Sequence, residues 1–493
     1  MATAIKDIRN HLKDPDLFRE KCLVGGEWID ADNGETFEVT DPATGEVIGT
    51  APKLGTAETR RAIEAANAAW PAWRAKTAKE RSQILERWVQ LVNENADDLA
   101  YIMTREQGKP LPEAKGEVAY ANSFLEWFAE EGKRAYGDVI PQTVGSRRIL
   151  AIKQPVGVCG AITPWNFPSA MITRKTGPGL AVGCTFVIKP ASYTPYSALA
   201  MAVLGERAGI PAGVVNVVTG SARVIGEEIT SNKLVRKVTF TGSTEVGKVL
   251  LRQCADTVKK VSMELGGHAP FIVFDDADID SAVQGAILCK FRNAGQTCVC
   301  TNRIYVQAGV YDEFARKFAE ATGALKVGNG TESGVVVGPL IEASAIEKAS
   351  EHVEDAVSKG GSVIVGGHKH ELGGLFFQPT VIGDCNPGMK IAHEETFGPV
   401  APLFKFETED EVIKLANDSD VGLAGYFYAR DIGRVFRVAE ALEVGLVGVN
   451  DGVIATEVAP FGGVKESGLG REGSKYGIDD YLEVKYVSLG GIS

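Results

Sequence analysis

The feature that most constrains this chain is a rhythm that begins at Gln154, where short apolar runs alternate with helical stretches. VGVCGAITP is followed by a helical stretch at Met171–Ala181, CTFVIKP by one at Tyr196–Ala208, GVVNVVTG by one at Val224–Thr230 and KVTFTG by one at Thr244–Ala255. Apolar strands separated by helices build a parallel sheet covered on both faces, so the spacing predicts a doubly wound α/β domain. After MELGG, Met263–Gly267, the rhythm restarts with APFIVF, a helix over Ile279–Arg292, NRIYVQ and a helix over Tyr311–Leu325. That predicts a second α/β domain. Ahead of Gln154 the chain is helix-rich, with apolar residues three and four apart in Ala57–Trp70, Glu80–Ala96 and Glu113–Ala135. Arg147–Lys153 and Tyr481–Leu489 fit neither domain. Both alternate with period two and are expected to form a small sheet that reaches across to another subunit. A chain of 493 residues is too long for one core and fits two or three domains.

A net charge of −12 makes the chain a poor partner for nucleic acid or an anionic membrane. An anionic substrate would need a local basic pocket against that field. Pro155, Pro164 and Pro168 interrupt the uncharged stretch Gln154–Thr173, which argues against a membrane helix. The N-terminal MATAIKDIRNHLKD has no apolar core and carries acidic residues, which points to a cytoplasmic protein. The 8 cysteines show no C-x-x-C spacing, and the only tight histidine pair is His368–His370, so no metal site is expected.

Five short stretches carry candidate chemistry. GSTEVGK, Gly242–Lys248, follows a strand and opens a helix, where backbone N–H groups can receive a phosphate. Val249 stands where a P-loop needs a hydroxyl for magnesium, which disfavours a nucleoside triphosphatase; a dinucleotide needs no such hydroxyl. G-x-G-x-x-G is absent, and alone the loop is equally an ordinary glycine-capped turn. VIKPAS ends a strand with Lys189 and offers a cation and a hydroxyl to a ribose or its phosphate, or else is a solvated strand end. Lys189–Ser192 holds no acid for a ribose 2′-hydroxyl, which leaves room for the extra phosphate of NADP. RNAGQTCVCTNR, Arg292–Arg303, places Cys298 just past a helix with Lys290 and Arg292 nearby. Cations activate a thiol, although a cysteine taken alone is more often an inert core residue. Asn166 in the turn TPWNFP can donate its amide to an oxyanion or bond its own backbone. Glu264 in MELGG is a general base if desolvation raises its pKa, and otherwise a solvated strand-end acid.

Taken in order, TPWNFP, VIKPAS, FTGSTEVG, MELGGHAP, GQTCVC, EETFGPV and PFGGVKESGLGREG resemble the aldehyde dehydrogenase superfamily over nearly the whole chain. The resemblance implies an NAD(P)-binding domain over 1–135 and 155–265, a catalytic domain over 266–475 and an oligomerisation sheet from 136–154 and 476–493. It also implies a homodimer or homotetramer. It makes Cys298 the nucleophile, Asn166 and the Cys298 N–H the oxyanion donors, and Glu264 the base that activates water against a thioester. The cofactor, NADP with NAD as the alternative, is expected against Trp165, Lys189, Ser192, Gly242, Ser243, Leu265, Glu395 and Phe397. Lys189 and Ser192 would face the adenosine ribose, and Glu395 the nicotinamide ribose.

WNFPSAMITRK, FRNAGQTCVC and GREGSKYGIDDYLEVKY resemble the succinate-semialdehyde dehydrogenase branch. There, arginines matching Arg174 and Arg292 grip the distal carboxylate, and Phe167 and Phe461 wall the channel. The expected reaction is NAD(P)-dependent oxidation of succinate semialdehyde to succinate through a thiohemiacetal and a thioester on Cys298. Two residues depart from the branch. Ala455 replaces a serine that bonds the carboxylate, which leaves glutarate semialdehyde or a broader aldehyde range as the alternative, and His268 replaces a more usual Asn. A cofactor-independent thiol hydrolase is the alternative of a different class, and needs a histidine partner for Cys298. In this branch a second cysteine at the place of Cys300 forms a reversible bond, so Cys298 and Cys300 are expected to act as a redox switch, with space filling as the alternative for Cys300. In an extended segment their Cα atoms would stand about 6.5 Å apart on one face, near the limit for a disulfide.

Overall fold

The computed structural model describes residues 8–491. The few residues outside that range include part of the N-terminal stretch read above for targeting. The first rhythm becomes an eight-stranded sheet. Its parallel centre runs, in spatial order, Val215–Val217, Thr185–Lys189, Val158–Ile162, Val235–Thr241 and Lys260–Glu264. The chain starts in the middle at Val158–Ile162, steps outward on one side, then crosses back and steps outward on the other. Strand order therefore reverses between Val158–Ile162 and Val235–Thr241, where a crevice opens beyond the carboxyl ends of the strands. The two loops that leave there are TPWNFP and GSTEVGK.

Helices cover both faces, which is why Val158–Ile162 and Thr185–Lys189 are buried at every position. One face packs against Trp73, Trp88, Phe124 and Leu199, the other against Ile63, Ile225 and Leu250. The helix expected to end at Trp70 runs from Thr56 to Ala75 through Pro71. Pro71 is exposed, so only one backbone bond is lost and no packing. A helix over Ala96–Gln107 was not foreseen. Its buried residues include the polar Asp98, Thr104, Arg105, Glu106 and Gln107, so the face it packs inward does not read as apolar.

The second rhythm becomes a seven-stranded sheet in the order Ser362–Val365, Thr380–Cys385, Val400–Phe406, Thr301–Gln307, Ala269–Val273, Ala424–Tyr428 and Leu446–Val449. Only its central pair, Ala269–Val273 and Thr301–Gln307, was read from the sequence. Gly468–Leu469, far along the chain, returns to pair antiparallel with Met263–Glu264 at the edge of the first sheet. The two orphan alternating segments pair in full antiparallel register, from Leu482 against Pro155 to Gly490 against Arg147, and Asp138–Ile140 adds a third strand. Val139, Val484 and Tyr486 stand exposed on this small sheet. No helix among the described residues is long and apolar enough to cross a membrane.

Phe186 is fully buried at the centre of the first sheet. Phe186→Ala should cost about 3–5 kcal/mol, read as a lower urea midpoint.

Candidate active site

Two cavities occupy the crevice between the sheets. One, of about 240 Å³, is lined by Trp165, Asn166, Gly242, Ser243, Leu265, Glu395 and Phe397. The other, of about 290 Å³, is lined by Phe167, Arg174, Arg292, Ala455 and Phe461. Cys298 and Met171 belong to both linings, so the thiol stands where the two cavities meet.

The loop that carries Cys298 is over-determined. After the helix Ile279–Phe291, three residues in succession take positive φ: Asn293 at 50°, Ala294 at 55° and Gly295 at 78°. For the two non-glycines this is strained backbone, held by surrounding bonds. Glu113 accepts from the Asn293 N–H at 2.9 Å, and the Asn293 amide donates to the Asn166 carbonyl at 3.1 Å. Gln296 accepts from the Ile341 N–H and, through its own carbonyl, from the Asn166 side-chain amide at 3.0 Å. At Gly267 a Cβ would lie 2.4 Å from the Cys298 carbonyl oxygen, so the second glycine of MELGG admits the close approach of the Cys298 backbone.

Cys300 departs from expectation. The segment is a turn, not an extended strand: the Cys300 N–H donates to the Thr297 carbonyl at 3.1 Å. Cys300 is buried, its Sγ lies 3.5 Å from the Lys290 carbonyl and 3.4 Å from that of Thr301, and it lines neither cavity. Both thiols are free. The extended geometry assumed for the Cys298–Cys300 pair is replaced by this turn, and Cys298 lines both cavities while Cys300 lines neither.

Burial dominates the electrostatics. It pushes the Cys298 thiol up to about 12, with Glu264 and Glu395 adding to the rise and Arg174 and Arg292 opposing it. Glu264 is raised well above the usual carboxylate range by burial and by Glu472, and its Oε2 has no hydrogen-bond partner. Burial lifts Glu395 to about 7. Glu472 goes the other way. Burial would raise it, but Lys175 at 2.6 Å and Arg174 at 2.8 Å outweigh burial and hold it ionised.

On the larger cavity's wall, the Arg174 guanidinium lies 3.9 Å over the Phe461 ring. The Lys109 ammonium stands 4.0 Å over the Phe167 ring, and Arg292 reaches the same ring at 5.5 Å. Lys109 also pairs with Glu117 and donates to the Asn166 carbonyl at 2.7 Å. Glu117 in turn accepts from the Ser169 and Ala170 N–H groups that open the helix bearing Arg174. On the smaller cavity's wall, Trp165 and Phe397 meet edge to face at 5.7 Å, and Ser243 caps the helix Thr244–Ala255. Lys189 and Ser192 lie one strand away and line neither cavity. Burial lowers Lys189 to about 8, while Ser192 is exposed. His268 is buried with Nε2 against the Ala392 carbonyl at 3.0 Å, and burial lowers its pKa. No histidine lines either cavity among the described residues, so Cys298 lacks the partner a thiol hydrolase needs.

Sequence reasoning missed Lys109, Glu113, Glu117, Tyr120, Lys175 and Glu472. A signal existed for three of them. Glu113, Glu117 and Tyr120 fall at spacings of four and three on a predicted helix, one polar stripe on an otherwise apolar face. Glu472 lay inside a quoted motif, but nothing local says it meets Arg174 and Lys175.

A doubly wound sheet with its crevice at the switch point, joined to a second α/β sheet, is the build of an NAD(P)-dependent oxidoreductase. The chain belongs to the aldehyde dehydrogenase family, whose model matches residues 28–487. It is 65% identical over 481 residues to a glutarate-semialdehyde dehydrogenase of Pseudomonas aeruginosa, covering 98% of this chain and 100% of that one. It is 63% identical to the NADP(+) succinate-semialdehyde dehydrogenase GabD of Escherichia coli, covering 97% of this chain and 99% of that one. The crystal structure of a succinate-semialdehyde dehydrogenase from Burkholderia pseudomallei superposes with a TM-score of 0.97 at 63% identity, covering 97% of this chain and 99% of that one.

Two outcomes follow from the geometry. Gly267→Ala pushes against a backbone carbonyl that cannot yield, so kcat should fall by about a hundredfold while far-UV circular dichroism is retained. Because the Cys298 pKa lies far above neutrality, its thiolate fraction grows with pH. Alkylation by iodoacetamide, measured without nucleotide against a Cys298→Ser control, should rise about tenfold per pH unit from 7 to 9, whereas a plateau would contradict the raised pKa.

Proposed function

We propose that the protein oxidises short aldehydes bearing a distal carboxylate, succinate semialdehyde first, with NADP as the preferred acceptor. The observation that carries this reading is the placement of Arg174 and Arg292 on the walls of one cavity that ends at a thiol, in a chain of net charge −12. Two guanidinium groups match a carboxylate in geometry as well as charge. Glutarate semialdehyde is the second reading. Ala455 lines that cavity and offers no hydroxyl, and the relative from Pseudomonas aeruginosa bears that substrate's name.

In this reading Cys298 gives up its proton to water, its sulfur bonds to the aldehyde carbon as the carbonyl π pair moves to oxygen, and the oxygen that gains charge faces the Asn166 amide and the Cys298 N–H. The smaller cavity suits a nicotinamide dinucleotide. The capped helix N-terminus at Ser243 favours phosphate, Glu395 can accept from a ribose, and Trp165, Gly242, Leu265 and Phe397 supply walls, while Lys189, one strand beyond the cavity, supplies a buried cation for the adenosine end. Bound NAD(P) would supply the acceptor for the hydride that leaves the thiohemiacetal carbon, a loss that leaves a thioester on Cys298. Glu264 in its ionised form, made more basic by the burial that raises its pKa, then takes a proton from the water that splits the thioester, releasing carboxylate and restoring the thiol. The absence of an acid from Lys189 to Ser192 supports NADP.

Residues 1–135 and 155–265 are taken as the cofactor domain, 266–475 as the catalytic domain, and 136–154 with 476–493 as a sheet that joins subunits of a cytoplasmic homodimer or homotetramer. The exposed apolar side chains on that sheet support the last point.

Initial rates with succinate semialdehyde, glutarate semialdehyde and butanal, each with NADP and NAD, test the reading. The anionic aldehydes should lead butanal in kcat/KM by about a hundredfold or more. Equal rates would sink the arginine clamp. In the same assay Cys298→Ser should abolish the first-turnover burst of reduced cofactor.

A further inference from the structure

Tyr120 has no place in the chemistry above, yet it lies in the substrate cavity. The helix Leu111–Glu131 presents Glu113, Gly116, Glu117 and Tyr120 to that cavity, at spacings of three and four along one face. The Tyr120 ring is fixed edge-on against Phe124, with centroids 5.0 Å apart and planes at 77°. Its hydroxyl oxygen is buried and has no hydrogen-bond partner. Arg174 Nη2, on the same cavity, is also buried and also lacks a partner. Buried donors without acceptors are uncommon and costly in folded proteins, so two on one cavity wall call for an acceptor that the cavity itself receives.

Most other polar groups on the wall are already occupied. Glu117 is paired with Lys109, and Glu113 accepts from the Asn293 backbone. Burial raises Glu113 and thereby weakens its repulsion of an anion. Opposite, Ala455 has only a methyl group to offer. A carboxylate carries about four lone-pair sites, more than one bidentate arginine fills. Arg174 and Arg292 are near enough to act on Tyr120 electrostatically, so an anion between them is within the same neighbourhood.

We propose that the Tyr120 hydroxyl donates a hydrogen bond to the distal carboxylate of the substrate, as a third donor beside Arg174 and Arg292, and is a specificity-determining residue. Burial raises the phenol's pKa, so it stays protonated and a donor across the working pH range. The inference rests on the semialdehyde reading and adds a residue to it.

Tyr120→Phe removes one oxygen and keeps the ring against Phe124. The selectivity ratio, kcat/KM for succinate semialdehyde over kcat/KM for butanal, should fall about ten- to hundredfold, with the loss carried by KM. The melting temperature should hold or rise, since an unpartnered buried hydroxyl is lost; a merely structural tyrosine would lower it. Ala455→Ser in the Tyr120→Phe background should recover part of the ratio by restoring a donor to the cavity. If the wild-type protein favours the anionic aldehyde and Tyr120→Phe leaves the ratio unchanged, the role of Tyr120 is overturned and the semialdehyde reading stands. If the wild-type protein shows no preference for the anion, both fall. Should Tyr120→Phe fail to fold, Tyr120→Met, which fills similar space without a donor, is judged by the same ratio.

Discussion

The Glu472 carboxylate lies between the side chains of two successive residues, with Arg174 Nε at 2.8 Å and Lys175 Nζ at 2.6 Å, all three nearly free of solvent. A charge removed from water costs several kcal/mol unless it is paired, so none of the three is placed independently. Phe461 and Glu472 bond each other's backbone at 2.8 and 2.7 Å, and Phe461 lies under the Arg174 guanidinium. Lys175 also donates to Thr241 at 2.7 Å, at the end of the strand that leads into GSTEVGK. One ionic cluster thus ties the C-terminal segment, the helix after WNFP and the edge of the crevice into a single body.

The cluster holds two cations and one anion, and the surplus positive charge lies beside the larger cavity. That surplus is a local field of the sign opposite to the whole chain, and in a dry site it acts strongly. Arg174 opposes burial at Cys298, and Arg174 and Lys175 oppose it at Glu264, where Glu472 adds to the rise; burial drives both groups toward their neutral forms. The nearby Glu395 adds to the rise at Cys298. A site in which burial favours the neutral thiol and acid, with cations close at hand, favours negative charge arriving with a ligand over negative charge resident in the protein.

Much of this was legible from local sequence. Strand and helix alternation fixes where the first sheet lies, because each apolar run is short and two of the helices after it open on a serine cap, Ser221 and Ser243. The later strands of the second sheet were harder to see, since Thr380–Cys385 and Val400–Phe406 sit among loops and short turns with no regular helical partner between them. The helix Ala96–Gln107 was missed for a different reason, most of its buried residues being polar. At the site, the motif residues Cys298, Asn166 and Glu264 were found individually, and the pocket-lining acids of Leu111–Glu131 were not, because a glutamate in a helix reads as a solvated face until something covers it.

The sequence by itself determined the strand–helix alternation of the first sheet, the central pair of the second and the small set of residues able to do thiol chemistry, because these follow from short-range periodicity and residue type. Only the tertiary structure decided that Cys300 turns inward, that Glu472 meets Arg174 and Lys175 from 297 or more residues away, and that Tyr120 and Arg174, each with a buried polar atom lacking a partner, line one cavity. Those outcomes depend on burial and on long-range contacts. Both are properties of the packed chain, and no stretch of sequence carries them alone.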